Sequence, residues 1–170
     1  IMKGLLKAQT SKKFLGKTYD LPFGIAPIGM SGLIWPDAEV ILARIAEKQN
    51  IPYTLSTVAC QTPETVGPIL QGLGWFQLYP PKNPEIRKDM MRRIVQSAFE
   101  KLVITVDVPV ASRRERQTRG GITTPPVLTP RLLSHIIIRP EWALRMLING
   151  KPGMPFVASY GNNIKGLPST

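Results

Sequence analysis

The stretch GWFQLYPPKNPEIRKDMMRRIVQSAFEKLVITVDV, residues 74–108, decides the fold. It opens on the apolar run GWFQLY (74–79) and closes on a second, LVITVDV (102–108), and neither run keeps a period of two. A strand with one wet face alternates polar and apolar residues. Short continuous apolar runs belong to strands buried on both faces, as parallel sheets require. Between the runs, Asn83-Pro84-Glu85 supplies a helix start: a capping side chain, a proline at the first helical position and an acid in the first turn. Ile86, Met90, Ile94 and Ala98 then fall four apart, with Met91, Val95 and Phe99 beside them, which predicts one wide apolar face turned to a core. The unit reads as strand, helix, parallel strand.

The same unit recurs toward the N-terminus. FGIAPI (23–28) and YTLSTVA (53–59) are further apolar runs, AEVILARIAEKQ (38–49) follows Pro36 as a helix, and Thr62-Pro63-Glu64 repeats the helix-start signature. Four strands beginning at 23, 53, 74 and 102 predict a βαβαβαβ chain of class α/β. Beyond Val110 the composition changes. Arg113, Arg114, Arg116 and Arg119 crowd together, Gly120-Gly121 and Pro125-Pro126 break regular structure, and short helices are expected after Thr129-Pro130 and over EWALRMLIN, closed by Gly150. Residues 151–170 read as loop. The expected organisation is a lead-in over 1–20, four strands with their helices over 21–112, and a long basic loop region over 113–170. At about 26 residues per unit an eightfold barrel needs roughly 210 residues, so four units make half of one. Half a barrel has open sheet edges that further strands or a second copy must cover, whereas a small doubly wound sheet needs only four or five strands. The strand count alone leaves both architectures open.

Composition narrows the function. The 170 residues hold 22 basic and 11 acidic side chains, a net charge of +11, with 43% hydrophobic and 19% charged residues. That is a folded, anion-attracting chain rather than a disordered one. No apolar run approaches the roughly 18–20 residues of a spanning helix. Cys60 and His135 are the only residues of their kinds, so neither a disulfide framework nor a Cys/His metal site is expected, and no metal is assigned. The opening IMKGLLKAQTSKK lacks the pattern of a signal peptide, which predicts a cytoplasmic location, and an initial Ile suggests a longer natural start. There is no Gly-x-Gly-x-x-Gly turn, Gly-Lys-Ser/Thr loop or Gly-x-Ser-x-Gly elbow. The positive charge comes without a nucleic-acid motif, so no nucleic-acid partner is expected. Cys60 reads as a small buried residue, His135 as a helix-surface residue, and Trp35, Trp75 and Trp142 as packing.

Parallel sheets place ligands at the carboxyl ends of their strands. Here those ends are Ala26-Pro27-Ile28-Gly29, Leu55-Ser56-Thr57, Gln77-Leu78-Tyr79 and Thr105-Val106-Asp107. They offer small residues, hydroxyls and an amide, and no nucleophile paired with a base. Such neutral groups suit a planar, polar-edged ring better than a phosphate or a metal.

In order along the chain, GIAPIGMSG (24–32), TLSTVA (54–59), WFQLY (75–79), ITVDVP (104–109) and SRRER (112–116) resemble the FMN-dependent α-hydroxy-acid dehydrogenases and oxidases. The resemblance covers about residues 14–117, and ASRRERQTRGG, TTPPVLTPRLL and KGLPST are similar to the long loop after the fourth strand of bacterial members. It implies a (β/α)8 TIM barrel of which about four βα units are present, FMN as cofactor, and oxidation of a lactate-like L-2-hydroxy acid to a 2-oxo acid. It also implies that the backbone of Pro27, Ile28 and Gly29 holds the flavin's reactive edge, that Ser56 contacts the ring near N5 and O4, and that Gln77 and Thr105 bond its pyrimidine edge. By the same resemblance Tyr79 meets the substrate hydroxyl, Arg114 the substrate carboxylate, and Asp107 supports the site. The family's lysine, histidine base and phosphate loops lie on strands five to eight, and His135 does not match that base, so the 170-residue chain is expected to be inactive alone. Membrane-bound members dock through the loop after strand four. With LLSHIII, WALRMLI and the arginines of 113–150, this makes a peripheral-membrane or interaction fragment, at the inner face of a membrane, the alternative expectation.

Overall fold

A computed structural model of the protein describes residues 9–106, 130–150 and 152–161. Strands β1 (Lys12–Phe14) and β2 (Lys17–Tyr19) form an antiparallel hairpin. Its turn is Leu15-Gly16, both at positive φ. The parallel sheet follows: β3 (Tyr53–Ser56), β4 (Gly74–Leu78) and β5 (Lys101–Ile104), hydrogen-bonded in that order. The run 23–28 joins β3 as a single parallel bridge, Ile25 to Tyr53, with Ile25 N–H donating to Pro52 O at 2.9 Å and Thr54 N–H to Ile25 O at 3.0 Å. The predicted first strand is thus in place but reduced to one bridge. Pro27 has no N–H to continue the ladder.

Strand follows strand around the sheet in chain order, without reversal. Right-handed crossovers that always step the same way put every helix on one face. Helices α1 (Ala38–Lys48), α2 (Pro63–Leu70) and α3 (Pro84–Gln96) obey this, α1 packing on α2 and α2 on α3. A doubly wound sheet reverses at a switch point and is covered on both faces, so this winding is an arc of a barrel. The helix starts are the expected ones: Thr62 Oγ1 accepts from Thr65 N–H at 3.3 Å, and Asn83 Oδ1 from Glu85 N–H at 2.9 Å.

Outward-pointing Leu55, Phe76 and Leu78 meet Val66, Leu70, Met90 and Ile94 in one core. The apolar face of α3 is narrower than its sequence predicts. Met90 and Ile94 are buried, while Val95 is 65% exposed.

Two elements were not expected. The hairpin occupies the lead-in, and its Phe14 and Tyr19 flank Trp75, whose indole N–H donates to Tyr19 OH at 3.2 Å. A short helix after α4 (Pro130–Ile137) and α5 (Pro140–Asn149), α6 (Pro155–Ala158), corrects the reading of 151–170 as loop. Its Phe156 is 1% exposed and lies edge-on to Phe76 at 5.5 Å. Arg93 clasps this segment: it forks onto Glu64 at 2.6 and 3.1 Å, bonds Ser159 and Tyr160, and sits 4.6 Å over the Phe156 ring. Partial burial is the largest single influence on Glu64 and acts to raise its pKa, but hydrogen bonds from Arg93, from its own backbone N–H and from Thr62, with the Arg93 charge, together hold the carboxyl below its ordinary value.

Candidate functional site

Parallel register assembles the site. Ile25 faces Tyr53, so three residues on Ile28 comes level with Ser56. Ser56 pairs with Gln77, and Gln77 with Val103. Alternation along each strand then sends Thr54 and Ser56, Trp75 and Gln77, and Val103 and Thr105 to the face opposite the helices. This face is the barrel interior. The expected neutral residues stand together at its carboxyl-terminal end.

Their contacts form a relay across three strands. Ser56 Oγ donates to Gln77 Oε1 at 3.1 Å, and Gln77 Nε2 donates to Thr105 Oγ1 at 2.8 Å. Ser56 and Gln77 are 5% and 3% exposed, deep enough that an unsatisfied amide would be costly. A donor count follows. The Gln77 amide has two N–H groups and uses one within this relay; the Thr105 hydroxyl accepts there and keeps its O–H. Among the described residues one amide N–H and one hydroxyl O–H are therefore left without an acceptor.

Sequence reasoning missed Thr57 as a site residue. Its buried hydroxyl donates to Gln77 O at 2.6 Å and accepts from Tyr79 N–H at 3.1 Å, so it pins both the amide-bearing residue and the start of the Tyr79 turn. The only signal was its place in the TLST cluster at a strand end.

Tyr79 lies two residues beyond Gln77, half-buried. Pro27, Ile28 and Gly29 form an exposed turn beside Ser56, tied to the next loop by Met30 N–H donating to Val58 O at 2.9 Å. A Cβ at Gly29 would come within 2.7 Å of Val58 Cγ2, and one at Gly32 within 2.7 Å of Cys60 Cβ. These glycines serve close packing of the two loops. Burial pushes the Cys60 thiol pKa up, and the neighbouring Glu39 adds to it, which disfavours the thiolate form. Arg114 and Asp107, with Arg113, Arg116 and Arg119, lie outside the described residues, as does the side chain of His135.

The donor set fits a flavin ring. The pyrimidine edge of isoalloxazine presents carbonyl and ring-nitrogen acceptors around one N–H, which neutral amide, hydroxyl and backbone groups match without a charge. Among the described residues this end of the sheet carries no charged side chain, so what it matches is the ring of FMN rather than its phosphate.

A singly wound parallel sheet whose strand ends present such an edge is an arc of a barrel whose edge fits a flat, polar-edged ring. Comparison with known proteins agrees. The family described as FMN-dependent dehydrogenase matches residues 1–166, and the chain belongs to it. An L-lactate dehydrogenase of Yersinia pestis (strain Pestoides F) is 34% identical over 152 residues, covering 89% of this chain and 40% of the relative. The crystal structure of the monotopic membrane protein (S)-mandelate dehydrogenase superposes with a TM-score of 0.81 at 27% identity, over 93% of this chain and 45% of that one. A mandelate oxidase with 3,3-difluoro-2-hydroxy-3-phenylpropionic acid gives a TM-score of 0.66 at 31% identity, over 72% and 37% of the two chains. The chain thus spans about 40% of the length of the L-lactate dehydrogenase it matches.

Proposed function

We propose that these residues form the flavin-facing strands of an FMN-dependent enzyme that oxidises an L-2-hydroxy acid to a 2-oxo acid. The relay Ser56–Gln77–Thr105, neutral and aimed into the barrel interior, is the observation that carries the reading. Bound FMN supplies the acceptor for the hydride equivalent from the substrate's α-carbon. Gln77 and Thr105 donate their remaining N–H and O–H to the pyrimidine edge, Ser56 stands beside it, and the backbone of Pro27, Ile28 and Gly29 borders the ring. The Tyr79 hydroxyl orients the substrate hydroxyl, and Arg114 pairs with its carboxylate as a charge-assisted fork. Among the described residues β5 is the last strand of the sheet, and its open edge is where a further barrel strand or a second copy pairs.

The test is a spectral one. With FMN at saturating concentration, L-lactate or L-mandelate is expected to shift the flavin's visible bands, the D-enantiomers less. Arg114→Met is expected to weaken the response about tenfold or more, in line with loss of a charge-assisted hydrogen bond. Bands that ignore every hydroxy acid would remove the substrate assignment.

A second reading rests on α4 and α5. Ile137, Ile138, Leu147 and Ile148 are between 65% and 81% exposed, an apolar surface that a soluble fold ordinarily covers. Beside it lies a groove of about 730 Å³ whose lining includes Leu33, Ile34, Trp35, Trp142 and one charge of each sign, Arg139 and Glu141. No helix among the described residues is long and apolar enough to cross a membrane. The geometry suits docking on an anionic lipid surface, apolar residues buried and arginines at the headgroups. The chain should co-sediment with phosphatidylserine-containing vesicles, and the double change Leu147→Glu, Ile148→Glu should release it. Equal binding by both proteins would dismiss the second reading.

A further inference from the structure

The flavin-facing turn 26–29 is held at its height beside Ser56 by contacts between two loops, and one of those contacts is made by a residue that ordinary helix rules do not explain. Glu39 stands in the first turn of α1, where an acid normally faces solvent and complements the helix dipole. Here it is wholly buried. Its Oε1 accepts from Cys60 N–H at 2.9 Å, and its Oε2 is buried with no hydrogen-bond partner among the described residues. Burying a carboxyl group so incompletely satisfied is unfavourable, so the group needs a structural return. The contacts around Cys60 show what that is. Val58 accepts from Met30 N–H, Gly29 and Gly32 leave room for Val58 and Cys60 to approach, and Gln61 Nε2 donates to Asp37 Oδ1 at 3.1 Å. Val58, Cys60 and Gln61 are thus laid against the segment that follows the first strand, and Glu39 holds the buried point of the seam.

We propose that Glu39 is a positioning residue for the flavin site: by accepting from Cys60 N–H it locks the 57–61 turn against the 29–33 turn, and so fixes Ile28 and Gly29 beside Ser56. The consequence for flavin rests on the function proposed above, whereas the lock is a property of the backbone alone. Two variants separate its parts. Glu39→Gln keeps a carbonyl acceptor in the same place; Glu39→Met keeps the length and removes it.

The measurement is amide hydrogen exchange of the 170-residue chain by NMR, with FMN affinity from fluorescence quenching in parallel. In Glu39→Met, exchange at Met30 and Cys60 is expected to rise about tenfold or more, as for a buried donor left unpaired. Tyr53 and Thr105, in the sheet, should change less than about twofold, and FMN binding should weaken about tenfold. Glu39→Gln should retain both the exchange pattern and the affinity. An unchanged Met30 amide in Glu39→Met, or a rise shared equally by Tyr53 and Thr105, overturns the lock. An opened lock with unaltered FMN affinity overturns the positioning role. Should Glu39→Met fail to fold, loss of Met30 protection in Glu39→Gln overturns the proposal and its retention supports it. Failure of the unsubstituted chain to bind FMN would instead strike the flavin reading, with the lock still judged by exchange.

Discussion

Mixed with FMN and L-lactate in the absence of oxygen, the 170-residue chain is expected to leave the flavin's yellow absorbance in place. The reason lies in what the interior face contains. Among the described residues Thr54, Ser56, Trp75, Gln77, Lys101, Val103 and Thr105 point to it by register, and none carries a carboxylate or an imidazole. The sequence has one histidine, His135, on α4, outside the strands that build the site. A positioned general base contributes about 10²–10⁴ in rate, and none stands on this face among the described residues, so oxidation of a hydroxy acid is expected to be slower by about that factor, below what a mixing experiment detects as bleaching. The check is anaerobic absorbance near the flavin maximum over hours. Bleaching at an enzyme-like rate, abolished by Tyr79→Phe, would show a base at work that the strands do not supply.

Phe76→Ala is expected to cost about 3–5 kcal/mol of folding stability, the range for deleting a buried aromatic ring. Phe76 is fully buried, edge-on to Phe99 at 5.6 Å and to Phe156 at 5.5 Å, so its removal opens the seam between the sheet, α3 and α6 together. Against a total of about 5–15 kcal/mol for a domain, that is enough to leave the variant partly unfolded without denaturant. Urea unfolding followed by tryptophan fluorescence gives the number. A loss below about 1 kcal/mol would mean that the ring is not part of the core described here.

The strands and their helices were legible because each left a local mark. Asn83-Pro84-Glu85 and Thr62-Pro63-Glu64 state where helices begin, and GWFQLY and YTLSTVA state which segments are buried on both sides. The relay was legible for a second reason: in a parallel sheet, adjacent strand ends meet at one rim, so Ser56, Gln77 and Thr105 could be grouped before any distance was known. What escaped depends on contacts distant in sequence. The hairpin strands are three residues each, and their turn uses a leucine at positive φ, a conformation that sequence rules reserve for Gly or Asn. Helix α6 is four residues long and exists where it does because Phe156 reaches Phe76. The burial of Glu39 has no local signature at all, since an acid in a first helical turn reads as a surface charge. Val95 errs the other way: its spacing places it beside the apolar stripe, yet α3 turns it to solvent.

The central claim is that the carboxyl ends of the strands form one edge of a flavin site, and FMN titrated into the isotope-labelled chain tests it most directly. The account predicts amide shifts at Ile28, Gly29, Ser56, Gln77 and Thr105 that saturate together, and their loss in Gln77→Leu, a change that removes the relay's central amide while keeping an apolar side chain of similar size. Shifts confined to α4 and α5, or a Gln77→Leu protein that binds FMN as the unsubstituted chain does, would contradict it.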